Sequence, residues 1–101
     1  MPHNNSNQNM KPHHLYEIID KEGEDIFKYG ISCEPIGKDG MSGRMRQQVS
    51  FLNRIYEWAR FFGRIIVFDI PGKKAARKLE TDHIKEYEEK NGLKPKGNVR
   101  Y

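Results

Sequence analysis

Two short runs near the start of the chain, His14 to Ile19 and Asp25 to Ile31, are rich in branched and aromatic side chains. The charged, glycine-containing stretch Asp20-Lys21-Glu22-Gly23-Glu24 separates them. That pattern predicts a β-hairpin. Successive side chains on a strand point to opposite faces, so with Tyr16 opposite Lys28 the residues Tyr16, Ile18, Ile26 and Lys28 share one face. A slip of one residue would separate the phenol from the amine. Residues 33 to 43 carry Pro35, Gly37, Gly40 and Gly43 around Lys38-Asp39, a loop of the kind that lies over a site. Beyond it Met45, Val49, Leu52, Tyr56 and Ala59, with Ile55 beside them, recur at helical spacing. Residues 44 to 60 are therefore expected to form one amphipathic helix, or two broken near Asn53, with Ser42 as the cap. Arg44 and Gln48 fall one turn apart on the edge of its apolar stripe and can point together into a cleft.

Arg64 to Ile70 is almost wholly apolar and β-branched and reads as a third, well-buried strand, ended by Pro71-Gly72. A second helix follows from Lys73, with Asn91-Gly92 as its stop. The order strand, strand, helix or two, strand, helix predicts an α+β fold, a three-stranded antiparallel sheet flanked by helices in the arrangement β-β-α-(α)-β-α. In the last helix Ala76, Ile84 and Tyr87 lie at i−4, i+4 and i+7 from Glu80, which puts that carboxylate on the apolar stripe. A buried acid needs a cation, a metal or hydrogen-bond donors opposite it.

The chain of 101 residues is long enough for one core. Residues 1–12, polar and rich in asparagine, are expected to be a flexible leader joining the domain, 13–101, to something larger. No run approaches the roughly 20 apolar residues that cross a bilayer, and the N-terminus has no signal-peptide core. The single cysteine, Cys33, excludes an internal disulfide and a cysteine-based zinc site; it reads as a small buried or loop residue. His3, His13 and His14 match no standard metal spacing, His83 reads as a satisfied half-buried histidine, and Tyr56 and Trp58 read as core. The net charge of +4 and a pI of about 9.2 favour a polyanionic partner, nucleic acid first. Lys73 and Lys74 stand at a helix N-terminus, whose free N–H groups welcome a phosphate.

The motifs together resemble the GIY-YIG nuclease superfamily, and in particular the nuclease domains at the C-termini of bacterial polymorphic toxins. Leu15-Tyr16-Glu17-Ile18 is similar to the first motif and Lys28-Tyr29-Gly30-Ile31-Ser32 to the second. Arg44, with Gln48 four residues on, matches the helical arginine position, Glu80 the metal-binding glutamate and Gly97-Asn98 the late asparagine. Lys28 stands where many members have tyrosine, and Gln48 where many have histidine, which leaves the proton route open.

The resemblance implies an endonuclease that hydrolyses phosphodiester bonds, of DNA by preference with RNA possible, using one Mg²⁺ or Mn²⁺ on Glu80. Tyr16 would be general base or orient the attacking water, its pKa lowered by Lys28, which could also relay the proton. Arg44 would grip the scissile phosphate, Gln48 hold the water or a phosphate oxygen, and Asn98 position the metal-bound group or fasten the tail. Arg46, Lys73, Lys74, Lys94 and Lys96 would follow the nucleic-acid backbone. It further implies release as part of a larger secreted effector, action in the cytoplasm of a target cell and inhibition by an acidic cognate immunity protein; the domain itself is expected to be a monomer. The residues alone leave two other readings: a nucleic-acid-binding module on the same fold without catalysis, and a protein-interaction domain with an incidental basic face.

Overall fold

A computed structural model of the chain describes residues 10–98. His3, most of the leader and the tail end with Arg100 lie outside them. The elements are β1 (Pro12–Asp20), β2 (Asp25–Ser32), α1 (Gly43–Ile55), β3 (Phe61–Pro71) and α2 (Lys73–Asn91). All strand pairs are antiparallel and the sheet order is β2-β1-β3, the α+β arrangement expected from the sequence. The leader's last residue, Pro12, already belongs to β1.

β1 is the middle strand, and it is covered on both faces. Tyr16 and Ile18 pack with Met45 and Val49 of α1 and with Phe61. Leu15, between them in period and therefore on the opposite face, packs with Tyr29, Ile70 and the α2 residues Ala76 and Ile84. The helices thus lie on opposite sides of the sheet. Residues His13 to Ile18 are all buried, which is why this strand, and not the more apolar β3, is the most enclosed. β3 was expected to be well buried and is instead an edge strand, with Phe62 and Phe68 exposed.

Two sequence expectations fail at a single irregularity. Tyr16 pairs with Gly30, not Lys28; Lys28 lies opposite Ile18, two residues further along. The register then jumps, because Ile19 pairs with Ile26 and Phe27 is the extra residue of a β-bulge. Phe27 joins Tyr16 and Ile18, whereas Ile26 packs on the other face with Leu15 and Tyr29. The bulge thus keeps Lys28 on the side of Tyr16 while sending Ile26 away from it.

α1 ends at Ile55 as a single helix, so Tyr56, Trp58 and Ala59 lie in the connection to β3. Tyr56 and Trp58 are not core residues: 55% and 88% of their surfaces are open. The connection turns back onto β3 because Asn53 clamps Phe61, donating from Nδ2 to its carbonyl at 3.0 Å and accepting its N–H at 2.7 Å. Ser42 precedes the helix, but its hydroxyl is shared with His14 Nε2 at 2.9 Å. Glu34 instead receives the backbone N–H of Arg44, a carboxylate at the positive end of the helix.

The described part of the tail closes one end of the β2 edge. Gly97 N–H donates to the Phe27 carbonyl at 2.7 Å; Asn98 Oδ1 accepts from the Tyr29 N–H at 2.7 Å while its Nδ2 donates to the Tyr29 carbonyl at 3.0 Å. A Cβ at position 97 would come within 2.8 Å of Phe27 Cε2 and 2.9 Å of Lys28 Cβ, so the tail can lie this close only as glycine. Asn98 is thereby a fastener whose amide mimics a neighbouring strand.

Asn98→Ala leaves the buried N–H of Tyr29 without a partner and should lower the unfolding free energy by about 1–3 kcal/mol. Trp58→Ala, at an exposed position, should stay within about 0.5 kcal/mol of the parent. Urea melts of both variants check the pair; equal destabilisation would contradict this assignment of core and surface.

Candidate functional site

A cleft of about 800 Å³ opens beside β2, lined among others by Tyr16, Lys28, Arg44, Lys73, Arg77 and Glu80. Six segments supply its walls: β1, β2, the loop after β2, the start of α1, the first half of α2, and the tail at Gly97 and Asn98. The loop expected to lie over a site contributes Cys33 and Glu34.

The floor is set by Tyr16 and Gly30. Residue 30 faces the phenol ring directly, and a Cβ there would lie 2.4 Å from the ring's Cζ and from its hydroxyl oxygen. Only glycine lets the ring lie across β2, where Tyr16 lines the cleft floor although its own surface, hydroxyl included, is wholly covered. That hydroxyl donates to Gln48 Oε1 at 2.7 Å. Gln48 therefore stands behind the tyrosine, while Gln47 is the α1 amide on the cleft wall.

The ionisable groups here are displaced towards their neutral forms. Burial pushes the Tyr16 phenol above its ordinary value, only partly opposed by Arg44. The expectation that Lys28 lowers this pKa is not met: Arg44 is the cation beside the phenol, and desolvation outweighs it. Lys28 sits diagonally from Tyr16, and its own pKa is lowered, first by burial and then by Arg44. Glu80 is pushed up by burial, against the pull of Arg77, Lys28, Arg44 and Lys73. Lys73 is lowered by burial and by Arg77 and Arg44. A carboxylate that four cations do not fully stabilise is open to a stronger electrophile.

Glu80 could receive a small hard cation. Among the described residues no three His, Cys, Asp or Glu side chains gather as a cage. Mg²⁺ does not require one, because it keeps much of its shell as water and phosphate oxygen and is commonly held by one or two carboxylates. The donor set fits such an ion and does not fit zinc, which takes three or four protein ligands.

The structure brings Tyr16, Lys28, Arg44, Glu80 and Lys73 to one place and treats the other expected residues differently. Asn98 reaches the cleft wall but spends its amide on Tyr29. Arg46 is held by Asp39 at 2.7 and 2.8 Å and by the Met41 carbonyl. Lys74 and Lys96 are exposed and Lys94 half-buried, all outside the cleft lining. Lys73 is buried, not spread on the surface. His83 donates to the Leu79 carbonyl at 2.8 Å and meets the Tyr29 ring edge-on, as a satisfied histidine should. The sequence reading missed Arg77 and Thr81, although their signal was present: Lys73, Arg77 and Thr81 recur every four residues beside Glu80.

A family model described as Tox-URI2, URI fold toxin 2, matches residues 6–92. No curated protein and no solved structure matches the chain. No helix among the described residues is long and apolar enough to cross a membrane.

The raised pKa of Glu80 has a consequence for stability. The folded chain holds this proton at a pH where the unfolded chain has released it, so folding loses stability as pH rises from the ordinary glutamate value through the folded one. Glu80→Gln, fixed in the neutral form, should raise Tm by a few degrees at pH 7 and leave it nearly unchanged at pH 4. Thermal melts at both pH values check this; a lower Tm at pH 7 would mean that the surrounding cations dominate.

Proposed function

The chain belongs to the URI fold toxin 2 family, and from that premise we propose that this toxin domain is a GIY-YIG-type endonuclease, hydrolysing nucleic-acid phosphodiester bonds, DNA by preference. The observation that carries the reading is the meeting of Tyr16, Lys28, Arg44 and Glu80 in one cleft walled by further cations. That is the set of groups a phosphodiester reaction needs: something to place a water, something to hold the phosphate's charge, and a proton for the departing oxygen.

Arg44, exposed at the start of α1 and beside the phenol, grips the scissile phosphate with its planar fork, and Lys73 and Arg77 add charge from the opposite wall. The Tyr16 hydroxyl, protonated at neutral pH and covered in the free chain, gives its hydrogen to Gln48 and keeps its lone pairs for Arg44 and, when substrate draws that guanidinium away, for the attacking water. Its role is to orient that water. The water oxygen bonds to phosphorus, its proton passing to solvent at the open mouth, and the bond from phosphorus to the opposite sugar oxygen breaks. Lys28 supplies the proton to that departing oxygen, for which its lowered pKa suits it. Glu80 would hold one Mg²⁺ or Mn²⁺, which when bound lowers the pKa of coordinated water and neutralises phosphate charge.

A toxin of this kind endangers the cell that makes it. The reading therefore includes delivery within a larger secreted effector, action in the cytoplasm of the target cell, and a cognate immunity protein with an acidic surface that fills the cationic cleft. The second reading, a binding module without catalysis, is favoured by Gln48, an amide that accepts the phenol's hydrogen and takes no proton from a water.

Purified protein incubated with supercoiled plasmid and total RNA, with Mg²⁺ or with chelator, separates the two readings. Metal-dependent cutting should fall about a hundredfold or more in Glu80→Ala; intact substrates that still bind at low salt would leave only the binding module. The pH profile should be bell-shaped. On the acid side Glu80 takes up a proton and releases the metal, at a pH that falls as Mg²⁺ is raised, and the alkaline limb lies below the ordinary lysine value of 10.5, where Lys28 loses its proton. Lys28→Gln should remove the alkaline limb; its persistence would assign the donor elsewhere.

A further inference from the structure

The solvent face of α1 carries a second groove, lined by Gly43, Arg46, Gln47, Ser50, Phe51 and Arg54. Gln47 lines this groove and the cleft alike, so one side chain borders both. Phe51, one turn from Gln47 and 58% exposed, lies away from Met45, Val49 and Leu52, which turn into the core. Arg54 follows on the same side. Helix rise puts it about 15 Å from Arg44, a span of a few nucleotides.

Past the helix end stands Trp58, 88% exposed and the chain's single tryptophan. Its exposure does not come from a loose loop. Asn53 fixes Phe61, Arg60 grips Asp20 at 2.8 and 2.9 Å, Lys21 N–H donates to the Arg60 carbonyl, and Arg60 N–H donates to the Glu57 carbonyl. An indole held out on a clamped loop loses little freedom on binding.

On the nuclease reading above, on which this inference rests, we propose that the substrate is single-stranded and that it leaves the cleft along α1. Phe51 and Trp58 are then platforms on which successive bases stack, and Arg54 is a phosphate contact. A groove combining positive charge with exposed aromatic faces suits unpaired bases, because every base has a face to stack and a duplex hides those faces. Arg46, bound by Asp39, stiffens the groove's border and is not one of the phosphate contacts.

Trp58 itself reports the test. The full chain carrying Glu80→Ala is titrated with single strands of about 4 and about 16 nucleotides, as DNA and as RNA, and with a blunt duplex. Anisotropy of labelled strands reads binding, and the indole emission of unlabelled mixtures reads contact. The longer strand should quench Trp58 and the duplex should not. Phe51→Ala should weaken the longer strand about tenfold, and Arg54→Gln should flatten the slope of log affinity against log salt by about one unit.

If the long strand binds while Trp58 emission and the Phe51→Ala affinity stay unchanged, the strand leaves by another path: this proposal fails and the nuclease reading stands. A duplex that quenches as strongly as the single strand overturns it too, as does emission that changes with protein concentration alone, which would make the face a contact between copies. Failure of every strand and duplex to bind at low salt removes both this proposal and the reading beneath it.

Discussion

The ring of Tyr16 occupies the space where a side chain of residue 30 would otherwise be, and the arrangement of the cleft follows from that contact. Opposite any residue larger than glycine, the phenol would have to leave the strand's inner face. With glycine there, the ring lies over β2, its edge meets the core formed by Met45 and Val49, and its hydroxyl reaches Gln48. One side chain thus links β1, β2 and α1. Because Arg44 is one turn from Gln48, the hydrogen bond that orients α1 also fixes where the guanidinium stands.

The electrostatics of the cleft work against folding. A half-buried glutamate, a half-buried lysine and a buried phenol are each shifted towards neutrality, desolvation being the first cause in every case. Their mutual attractions repay only part of that cost. On the nuclease reading, an anion with a divalent ion would supply the missing stabilisation, and substrate would relieve an instability that the free domain holds in its cleft. The ion pairs that do support the fold stand elsewhere, such as Arg60 with Asp20 and Arg64 with the nearly buried Glu17.

What could be read from the sequence was whatever local periodicity controls. The hairpin, both helices, the third strand and the position of Glu80 between Ala76 and Ile84 all follow from repeats of two or of three to four residues. What could not be read depends on partners distant in sequence. The bulge at Phe27 breaks the alternation that would have carried Ile26 to the face of Tyr16, and no local signal marks it. β3 is the most apolar strand but lies at an edge, because pairing order, not composition, decides enclosure. Gln48 belongs behind Tyr16 and Gln47 on the cleft wall, a difference of one residue that the edge of an apolar stripe cannot resolve. Tyr56 and Ala59 continue the helical spacing of α1, yet the helix stops at Ile55, where Asn53 turns the chain onto Phe61. Tyr56 and Trp58 are left outside the core, which Phe61 enters instead.

The two edges of the sheet also differ in a way that bears on the site. Along β2 the tail takes the backbone groups of Phe27 and Tyr29, through Gly97 and the Asn98 amide, and the cleft begins where this cover meets Gly30. The same clamp presses Gly97 against the Cβ of Lys28, which limits where the lysine's stem can go. Lys28 is therefore positioned twice, by the bulge that turns it to the side of Tyr16 and by the tail that closes over its base. A flexible ammonium is a poor proton donor to one chosen oxygen because its stem has many rotamers. Confinement from both sides removes much of that freedom, which on the nuclease reading lets a lysine serve where the resemblance leads one to expect the stiffer ring of a tyrosine.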